Sequence, residues 1–502
     1  MSAKPPKTVI NKRRISFGMP MQAPFISRMV MPITKGKSTQ KSFAHPKRGP
    51  MRLPKDNLKK IITLSVPLAA TQLSLHFMGF VDVLVSGRIN ETILGAVGLG
   101  TTVFFTCGLL GLGIALALDP VISQAIGSGD EKKAHHALWQ GHYAAGVNAI
   151  FLTALTWCAA YALRFMDIEQ GLYENALVYV EARLPALSFF LFAMNLKSYL
   201  QSHHLTKPIF VSAIVANVVN FVGDVWLCGA VLPENWQWIV PPGAMSLDAW
   251  GVAAASTVAG FVQMAWLFWP TKMASKGFQV PKLDLPTIKH LYRLGFPISG
   301  QLLLEVGSFS IVLLLMARHS TTAAAAHQVA LQITSLSFSI CVGIGAAASV
   351  QVGRAVGSLN GKDMVESGWS TFLITAVFML VCGVIMWVFP LHIARFVTNQ
   401  EGVIAMAGSL VFIAGFSQLG DGLQTSGAGV LRGLGITKLT FYANIIGHWG
   451  VGLPTGLILT YVLDIGIQGL WWGLTAGLGT VALIYLATFY RAQHRPVGDF
   501  RV

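Results

Sequence analysis

Carboxyl side chains lie inside long apolar runs of the sequence, where ionisable groups are rare. Glu305 lies in the middle of one run, with no Lys or Arg near it, and Asp421 lies in another between Gly420 and Gly422. A charged group at the centre of a bilayer costs about 2.5–3.5 kcal/mol on insertion scales, which makes such a residue a functional candidate. We therefore predict that Glu305 and Asp421 carry a proton or receive a cation, with a polar contact between packed helices as the alternative.

Three polar residues share one face of a different apolar run. Asn217, Asn220 and Asp224 are spaced i, i+3 and i+7, which places them on the same side of a helix. Carboxylate and amide oxygens together suit a hard monovalent cation such as Na⁺. Asp82 is the best fourth member of this group, although it lies near the outer end of its own run. The alternative is a cluster of interhelical hydrogen bonds without a bound ion.

Other polar residues in the apolar runs are weaker candidates. We expect Asp119 and Glu181 to lie at helix boundaries, where charge is ordinary, and Lys197 to have a packing role. Three residues are weaker candidates for lining a substrate cavity: Gln301, Gln418 and His327. Packing is the alternative for His327.

The composition places all these residues in a membrane protein. The chain has 502 residues, of which 53% are hydrophobic and only 11% are Asp, Glu, Lys or Arg. A soluble chain carries about 25% of these charged residues, so this charge cannot cover a soluble body of this size. The apolar content is too high for a disordered chain. Transmembrane β-barrels alternate apolar and polar residues, and this sequence does not. The sequence therefore predicts an all-α polytopic membrane protein.

Apolar stretches long enough to cross a bilayer, at roughly 20 residues each, follow one another from residue 61 onward. Twelve spans are predicted, at 61–85, 94–118, 138–163, 177–201, 209–231, 249–270, 288–316, 322–350, 368–390, 402–430, 440–462 and 466–489. With the N-terminus inside, the outer loops carry four Arg, whereas the inner loops and the C-terminus carry fifteen Lys and Arg. The positive-inside rule then predicts that both termini are cytoplasmic.

The formal charge of +15 belongs mainly to the start of the chain, because residues 1–60 hold 15 of the 36 Lys and Arg. We therefore predict a disordered cytoplasmic tail over residues 1–57 and no nucleic-acid partner. A translation start at Met51, a targeting segment or a contact with lipid headgroups is the alternative for this region.

Weak internal repeats divide the spans into two halves. Residues 124–128 (QAIGS) match residues 354–358 (RAVGS), Pro67 corresponds to Pro297, and residues 216–219 resemble residues 443–446. Each match is offset by six spans, so the halves enter the membrane from the same side, as in transporters that alternate access between lobes. The predicted units are residues 1–57 (tail), 58–271 (N-lobe), 272–287 (cytoplasmic loop), 288–490 (C-lobe) and 491–502 (C-terminal tail).

No enzyme constellation is present in the sequence. It contains no Walker A sequence, no GxSxG, no HExxH and no dinucleotide-binding fingerprint,. The five Cys all fall in apolar runs without a CxxC spacing, which favours buried thiols over disulfides or a metal site,. Without an ATP site, transport has to draw on an ion gradient, and no cofactor is expected.

Several motifs resemble those of the multidrug and toxic-compound extrusion (MATE) transporters, in their NorM-like branch. They are residues 67–72 (PLAATQ) with 80–82 (FVD), 119–124 (DPVISQ), 326–330 (AHQVA) and 427–433 (GAGVLRG). The resemblance runs from about residue 58 to 490. It implies twelve transmembrane helices in two pseudo-symmetric lobes. It also implies an N-lobe cation or proton site at Asp82, Asn217, Asn220 and Asp224, and a C-lobe site at Glu305 and Asp421. Asp119 departs from the neutral residue usual before this proline.

The resemblance implies efflux of organic cations and amphipathic drugs in exchange for Na⁺ or H⁺ by alternating access. We expect a monomer that contacts membrane lipid in the inner (plasma) membrane. The alternatives are a flippase for a lipid-linked substrate, which predicts a basic cavity and more spans, and a non-transporting scaffold whose basic tail binds a partner.

Overall fold

A computed structural model of the chain describes residues 55–166, 168–277 and 279–502, and within them the chain is helical with no β-strand. The first half contains α1 (Lys55–Ile89), α2 (Glu91–Leu116), α3 (Leu118–Gly127), α4 (Glu131–Ala162), α5 (Gln170–Ser202), α6 (Thr206–Cys228) and α7 (Asp248–Ala274). The second half contains α8 (Leu285–His319), α9 (Thr321–Gly357), α10 (Gly361–Val388), α11 (Pro390–Val397), α12 (Glu401–Gly433), α13 (Thr437–Asn444), α14 (Leu453–Leu457) and α15 (Gln468–Ala492). The predicted tail falls, up to residue 54, outside the described residues.

The predicted number of spans is confirmed, since the described residues form twelve segments long and apolar enough to cross a membrane. Two spans consist of more than one element. Helix α3 continues α2, and the π-helical stretch Ile445–Gly452 joins α13 to α14, after which a second stretch, Ile458–Val462, completes that span. An unbroken helical backbone satisfies its own hydrogen bonds, as the hydrocarbon core requires.

Most helices extend past the apolar segments that predicted them. The third span was predicted at 138–163, but its helix begins at Glu131 because the Asp130 side chain accepts a hydrogen bond from the Lys133 amide and caps the first turn,. Asn90 caps α2 in the same way, and Ser320 caps α9. Hydropathy detects the lipid-facing part of such a helix, whereas the cap decides where it starts.

The two halves, which we call the N-lobe (α1–α7) and the C-lobe (α8–α15), pack against each other reciprocally. Helix α1 packs on α9, and α2 packs on α8, so each lobe presents its first two spans to the other. The repeat at residues 124–128 and 354–358 lies at this contact. A Cβ on Gly127 would lie 2.1 Å from the Arg354 carbonyl oxygen, and one on Gly357 would lie 2.0 Å from that of Gln124. The reciprocity is the geometry of a pseudo-two-fold axis between the repeats.

The lobes join at the end of the bundle that carries the inter-lobe loop. Two hydrophobic clusters near this end contain residues of both lobes, one including Leu68 and Val350 and the other including Leu118 and Leu294. At the opposite end, the cluster around Val85 contains N-lobe residues only, and the cluster around Met316 contains C-lobe residues only. Among the described residues, the hydrogen bonds between the lobes likewise lie in the half nearer the loop, with Ser299 Oγ to the Leu110 carbonyl oxygen at 2.6 Å as the outermost.

Candidate functional site

Asp82 on α1 is the centre of a buried polar cluster in the N-lobe. Its Oδ1 accepts a hydrogen bond from Asn220 Nδ2 at 2.9 Å, and its Oδ2 accepts one from Ser256 Oγ at 2.7 Å. Arg183 Nη1 lies 3.3 Å from the same Oδ2. The Asp82 side chain is only 3% exposed. Four helices, α1, α5, α6 and α7, therefore converge on one carboxylate.

Asp224 lies on the same face of α6 as Asn220, one helical turn further along. Its side chain is fully buried, and neither of its carboxyl oxygens accepts a hydrogen bond from a donor among the described residues. The charge of Asp82 acts on it, and so does that of Arg183. A buried carboxyl group without hydrogen-bond donors is costly to hold in its charged form, so this position favours a neutralising proton or cation.

Asn217 lies one turn before Asn220 on α6, but its side chain binds a different part of α1. Its Nδ2 donates to Ser74 Oγ at 2.7 Å and to the Ser74 carbonyl oxygen at 3.0 Å. Its Oδ1 is buried without a donor. The structure therefore brings Asp82, Asn220 and Asp224 together directly, while Asn217 fastens α6 to α1 beside them.

Residues from helices distant in sequence complete the cluster, and the sequence analysis did not find them. Arg183 and Tyr179 face the cluster from α5, where they are spaced i, i+4 and hydrogen bonded to each other,. Ser256 reaches Asp82 from α7. An Arg within an apolar run was the one visible indication, since a buried cation needs a counter-charge.

The C-lobe holds a second pair of buried carboxyl groups. Glu305 on α8 accepts a hydrogen bond from Gln424 Nε2 of α12 at 2.8 Å. Asp421 lies three residues before Gln424, hence on the same face of α12, and the charges of Glu305 and Asp421 act on each other,. Among the described residues, neither carboxyl group takes part in an ion pair. The two carboxyl groups predicted from sequence are therefore close enough to interact, and within the described part of the chain they have no ion-pair partner.

The three residues proposed for a substrate cavity are buried in the C-lobe. Gln301 lies one turn before Glu305 on α8. Gln418, one turn before Asp421, accepts a hydrogen bond from Ser337 Oγ at 2.7 Å. His327 Nδ1 accepts one from Trp471 Nε1 at 3.1 Å. Gln301 and Gln418 extend the polar surface next to the carboxyl pair, whereas His327 fastens α9 to α15. Contact of these three with a substrate stays a prediction.

Asp119 and Glu181 lie in different settings, although we expected both at helix boundaries. Glu181 is exposed and accepts a hydrogen bond from Trp157 Nε1. Asp119 is fully buried between the lobes. Its Oδ1 accepts hydrogen bonds from Ser198 Oγ at 2.6 Å and Gln201 Nε2 at 2.7 Å, and its Oδ2 lies 3.7 Å from Arg432 Nη1 of the C-lobe. It is therefore part of the contact that closes the loop end.

A groove of about 520 Å³ opens between α4 and α5. Its lining is mostly apolar and includes Ile150, Trp157 and Phe192, but none of the predicted site residues. The groove is thus separate from both carboxyl clusters.

Known proteins resemble this chain over most of its length. The MatE family model matches residues 67–226 and 297–458, so each matched stretch begins at one of the two counterpart prolines of the repeat. The multidrug resistance protein NorM of Aliivibrio fischeri is 31% identical over 457 residues, which cover 87% of this chain and 95% of that protein. The multidrug resistance protein MdtK of Yersinia pseudotuberculosis is 28% identical over 452 residues, covering 87% and 96% respectively.

A solved structure supports the fold. The crystal structure of the eukaryotic MATE transporter AtDTX14 superposes with a TM-score of 0.79 at 20% sequence identity, covering 89% of this chain and 99% of that one. The family match, the identity to NorM and the twelve spans agree with one another. The chain therefore belongs to the MatE family, and it is a multi-pass membrane transporter rather than an enzyme.

Proposed function

We propose that this protein exports organic cations and amphipathic drugs across the inner membrane in exchange for H⁺ or Na⁺. The observation that carries the proposal is the pair of buried carboxyl groups, Glu305 and Asp421, without an ion-pair partner among the described residues. A cationic drug and a small cation both gain from binding to uncompensated negative charge, so they compete for it. The names of the relatives NorM and MdtK, both multidrug resistance proteins, agree with this substrate class.

Exchange also requires two states of the lobes with different affinities for the ligands, because a ligand shifts an equilibrium only by its differential affinity. Among the described residues, the hydrophobic clusters that contain both lobes lie at the loop end, and the clusters at the other end each belong to one lobe. With both termini cytoplasmic, this arrangement is closed toward the cytoplasm and corresponds to the outward-facing state of the proposed exchange. A proton or Na⁺ binding there releases the drug, and the protein acts as a monomer without a cofactor.

Ethidium efflux from a pump-deficient bacterial strain tests the proposal, with an imposed H⁺ or Na⁺ gradient in turn. We expect efflux by the parent protein and loss of at least tenfold in Glu305→Gln and in Asp421→Asn. Glu181→Gln is the matched control, because Glu181 is an exposed carboxylate outside both clusters. Efflux that survives both cluster substitutions would remove the C-lobe carboxyl groups from the mechanism.

The flippase alternative differs in the sign of the cavity charge. A lipid-linked polyanion needs basic residues around it. The buried polar residues of the C-lobe are instead two carboxyl groups, Glu305 and Asp421, with the neutral amides of Gln418 and Gln424. Absence of efflux under either gradient, with the protein present in the membrane, would favour this alternative over drug exchange. Deletion of residues 1–50 separates transport from the scaffold alternative, since a transporter retains efflux without this segment.

A further inference from the structure

The N-lobe carboxyl cluster contains a cation of its own. Arg183 Nη1 lies 3.3 Å from Asp82 Oδ2, and the Arg183 side chain is 15% exposed. The guanidinium donates a hydrogen bond to the Tyr179 hydroxyl, and its Cζ lies 4.9 Å from the centroid of the Phe104 ring. Three contacts therefore hold the positive charge in one place, beside the carboxylate that the sequence predicted as a cation ligand.

Both oxygens of Asp82 already accept hydrogen bonds from side-chain donors, although the Asp224 carboxyl group lies beside them. Besides Arg183, the donors are Nδ2 of Asn220 and Oγ of Ser256, at 2.9 and 2.7 Å. A hard cation instead needs several oxygen atoms with free lone pairs that converge on one point. The amide of Asn220 turns its nitrogen, not its oxygen, toward Asp82, because the carboxylate can only accept. An organic cation and two further donors therefore already occupy the oxygens of Asp82.

The positive charge of Arg183 reaches beyond Asp82. It also acts on Asp224, which lies next to Asp82 on the neighbouring helix. The N-lobe cluster therefore has two carboxyl groups and one guanidinium, whereas the C-lobe cluster has two carboxyl groups and no ion pair among the described residues. The two lobes share a fold, but their clusters differ by one fixed positive charge.

We propose that Arg183 determines the cation specificity of the N-lobe: its guanidinium takes the place at Asp82 that a metal cation would occupy, and it keeps Na⁺ out of the cluster. Two positive charges a few ångströms apart repel strongly where bulk water does not screen them. Removal of the charge therefore opens the cluster to Na⁺, with Asp82 as its ligand. This inference deepens the proposed exchange of drug for a cation and rests on it.

Binding of Na⁺ to the purified protein tests the inference, measured as the dependence of Tm on NaCl concentration with choline chloride at the same ionic strength as reference. The background carries Glu305→Gln and Asp421→Asn, so that the C-lobe carboxyl groups do not contribute. In this background we expect no Na⁺-dependent change of Tm. Adding Arg183→Gln should produce a rise of a few degrees, because a ligand that binds the folded state stabilises it. Adding Asp82→Asn to that variant should abolish the rise.

Two further variants separate charge from folding. Arg183→Lys keeps a positive charge, so Tm of this variant should remain independent of Na⁺. Arg183→Met removes the charge with a different side chain, so its Tm should rise with Na⁺. The inference would be overturned if Tm of the background variant, with Arg183 intact, rose with Na⁺ and if Asp82→Asn removed that rise. Folded Arg183→Gln and Arg183→Met variants without a response would overturn it as well. Failure of ethidium efflux in the parent would refute the proposed exchange, yet leave the Tm result to decide the role of Arg183.

Discussion

Arg432 of α12 and Asp119 of α3 form a buried ion pair across the two lobes, with Nη1 of the arginine 3.7 Å from Oδ2 of the aspartate. The Asp119 side chain is inaccessible, and that of Arg432 is 13% exposed. Lys197 adds a second positive charge nearby. The pair lies at the loop end, where the lobes are joined, so it exists only while that end is closed. In the proposed exchange by alternating access, the pair therefore stabilises the state in which this end is closed and not the other state.

Asp119→Asn should shift the lobes toward the state that is open at the loop end. Removal of one partner of a buried pair costs about 3–5 kcal/mol, because the other charge stays buried without compensation. Opening the loop end would hydrate Arg432 and relieve this cost. Distances between spin labels at Lys207 and Lys438, two exposed residues at this end of opposite lobes, should lengthen in a background with Cys158 and Cys382 replaced by Ser.

The double variant Asp119→Asn/Arg432→Gln is the control for this prediction. Neutralising both partners removes the uncompensated charge of Arg432, so most of the shift should disappear. Equal distances in the parent and in Asp119→Asn would contradict a role of the pair in closing the lobes.

Gly357→Ala should disturb the same contact by steric means. Its Cβ would lie 2.0 Å from the Gln124 carbonyl oxygen, a backbone atom that cannot move without its helix. Overpacking of this kind costs about 1–3 kcal/mol, here only in the closed state, and efflux should fall as that state becomes rarer. Gly479→Ala is the matched control, because a Cβ at Gly479 would meet no atom within 4 Å. Equal losses of efflux in the two variants would point to a general effect on the helices.

The C-terminal segment fastens the two lobes together. Gln124 of α3 donates from Nε2 to the Phe500 carbonyl oxygen at 3.0 Å, and its Oε1 accepts from the Val502 amide at 2.8 Å. Phe500 is buried in a C-lobe cluster, and Arg501 donates to the Gly357 carbonyl oxygen. The last residues of the chain therefore belong to the closed loop end.

Deletion of residues 497–502 should weaken closure at the loop end. Each hydrogen bond lost from Gln124 contributes about 0.5–1.5 kcal/mol. The same spin-label distances should lengthen, though less than in Asp119→Asn. Gln124→Leu removes the hydrogen bonds but keeps Phe500 in place, so it should reproduce a part of the effect. A deletion variant that is indistinguishable from the parent would show that the segment merely rests on the closed lobes.

The parts of the structure that the sequence predicted follow from local patterns. Apolar runs predicted twelve spans because the bilayer fixes their length, and the offset repeats predicted two similar halves. Within α6, the spacing of Asn220 and Asp224 was enough to place both on one face. The carboxyl groups could be recognised as site candidates from the sequence alone, because a charge within an apolar run is costly whichever helices the run packs against.

The residues that sequence reasoning missed are partners from distant helices. Arg183 is 101 residues from Asp82, and it comes there because α5 packs against α2 and α7, which both also contact α1. Asp119 looked like a boundary residue because it follows the apolar run of the second span. The chain continues from this run into α3, and α3 packs against α9 of the C-lobe. This packing buries the end of the second span. Pairings of this kind depend on the arrangement of helices, which no local pattern encodes.

Glu305 and Asp421 should behave as one unit in transport. Each acts electrostatically on the other, and Gln424 holds Glu305 from the helix that carries Asp421. If a cation or a drug binds to both carboxyl groups at once, loss of either removes the site. The double variant Glu305→Gln/Asp421→Asn should then transport ethidium no more slowly than the poorer single variant, because effects of residues that act together do not add. Gln424→Leu should lower efflux less than either carboxyl substitution, because Gln424 orients Glu305 but carries no charge. Losses that multiply in the double variant would instead assign the two carboxyl groups to separate steps, such as drug binding at one and cation binding at the other.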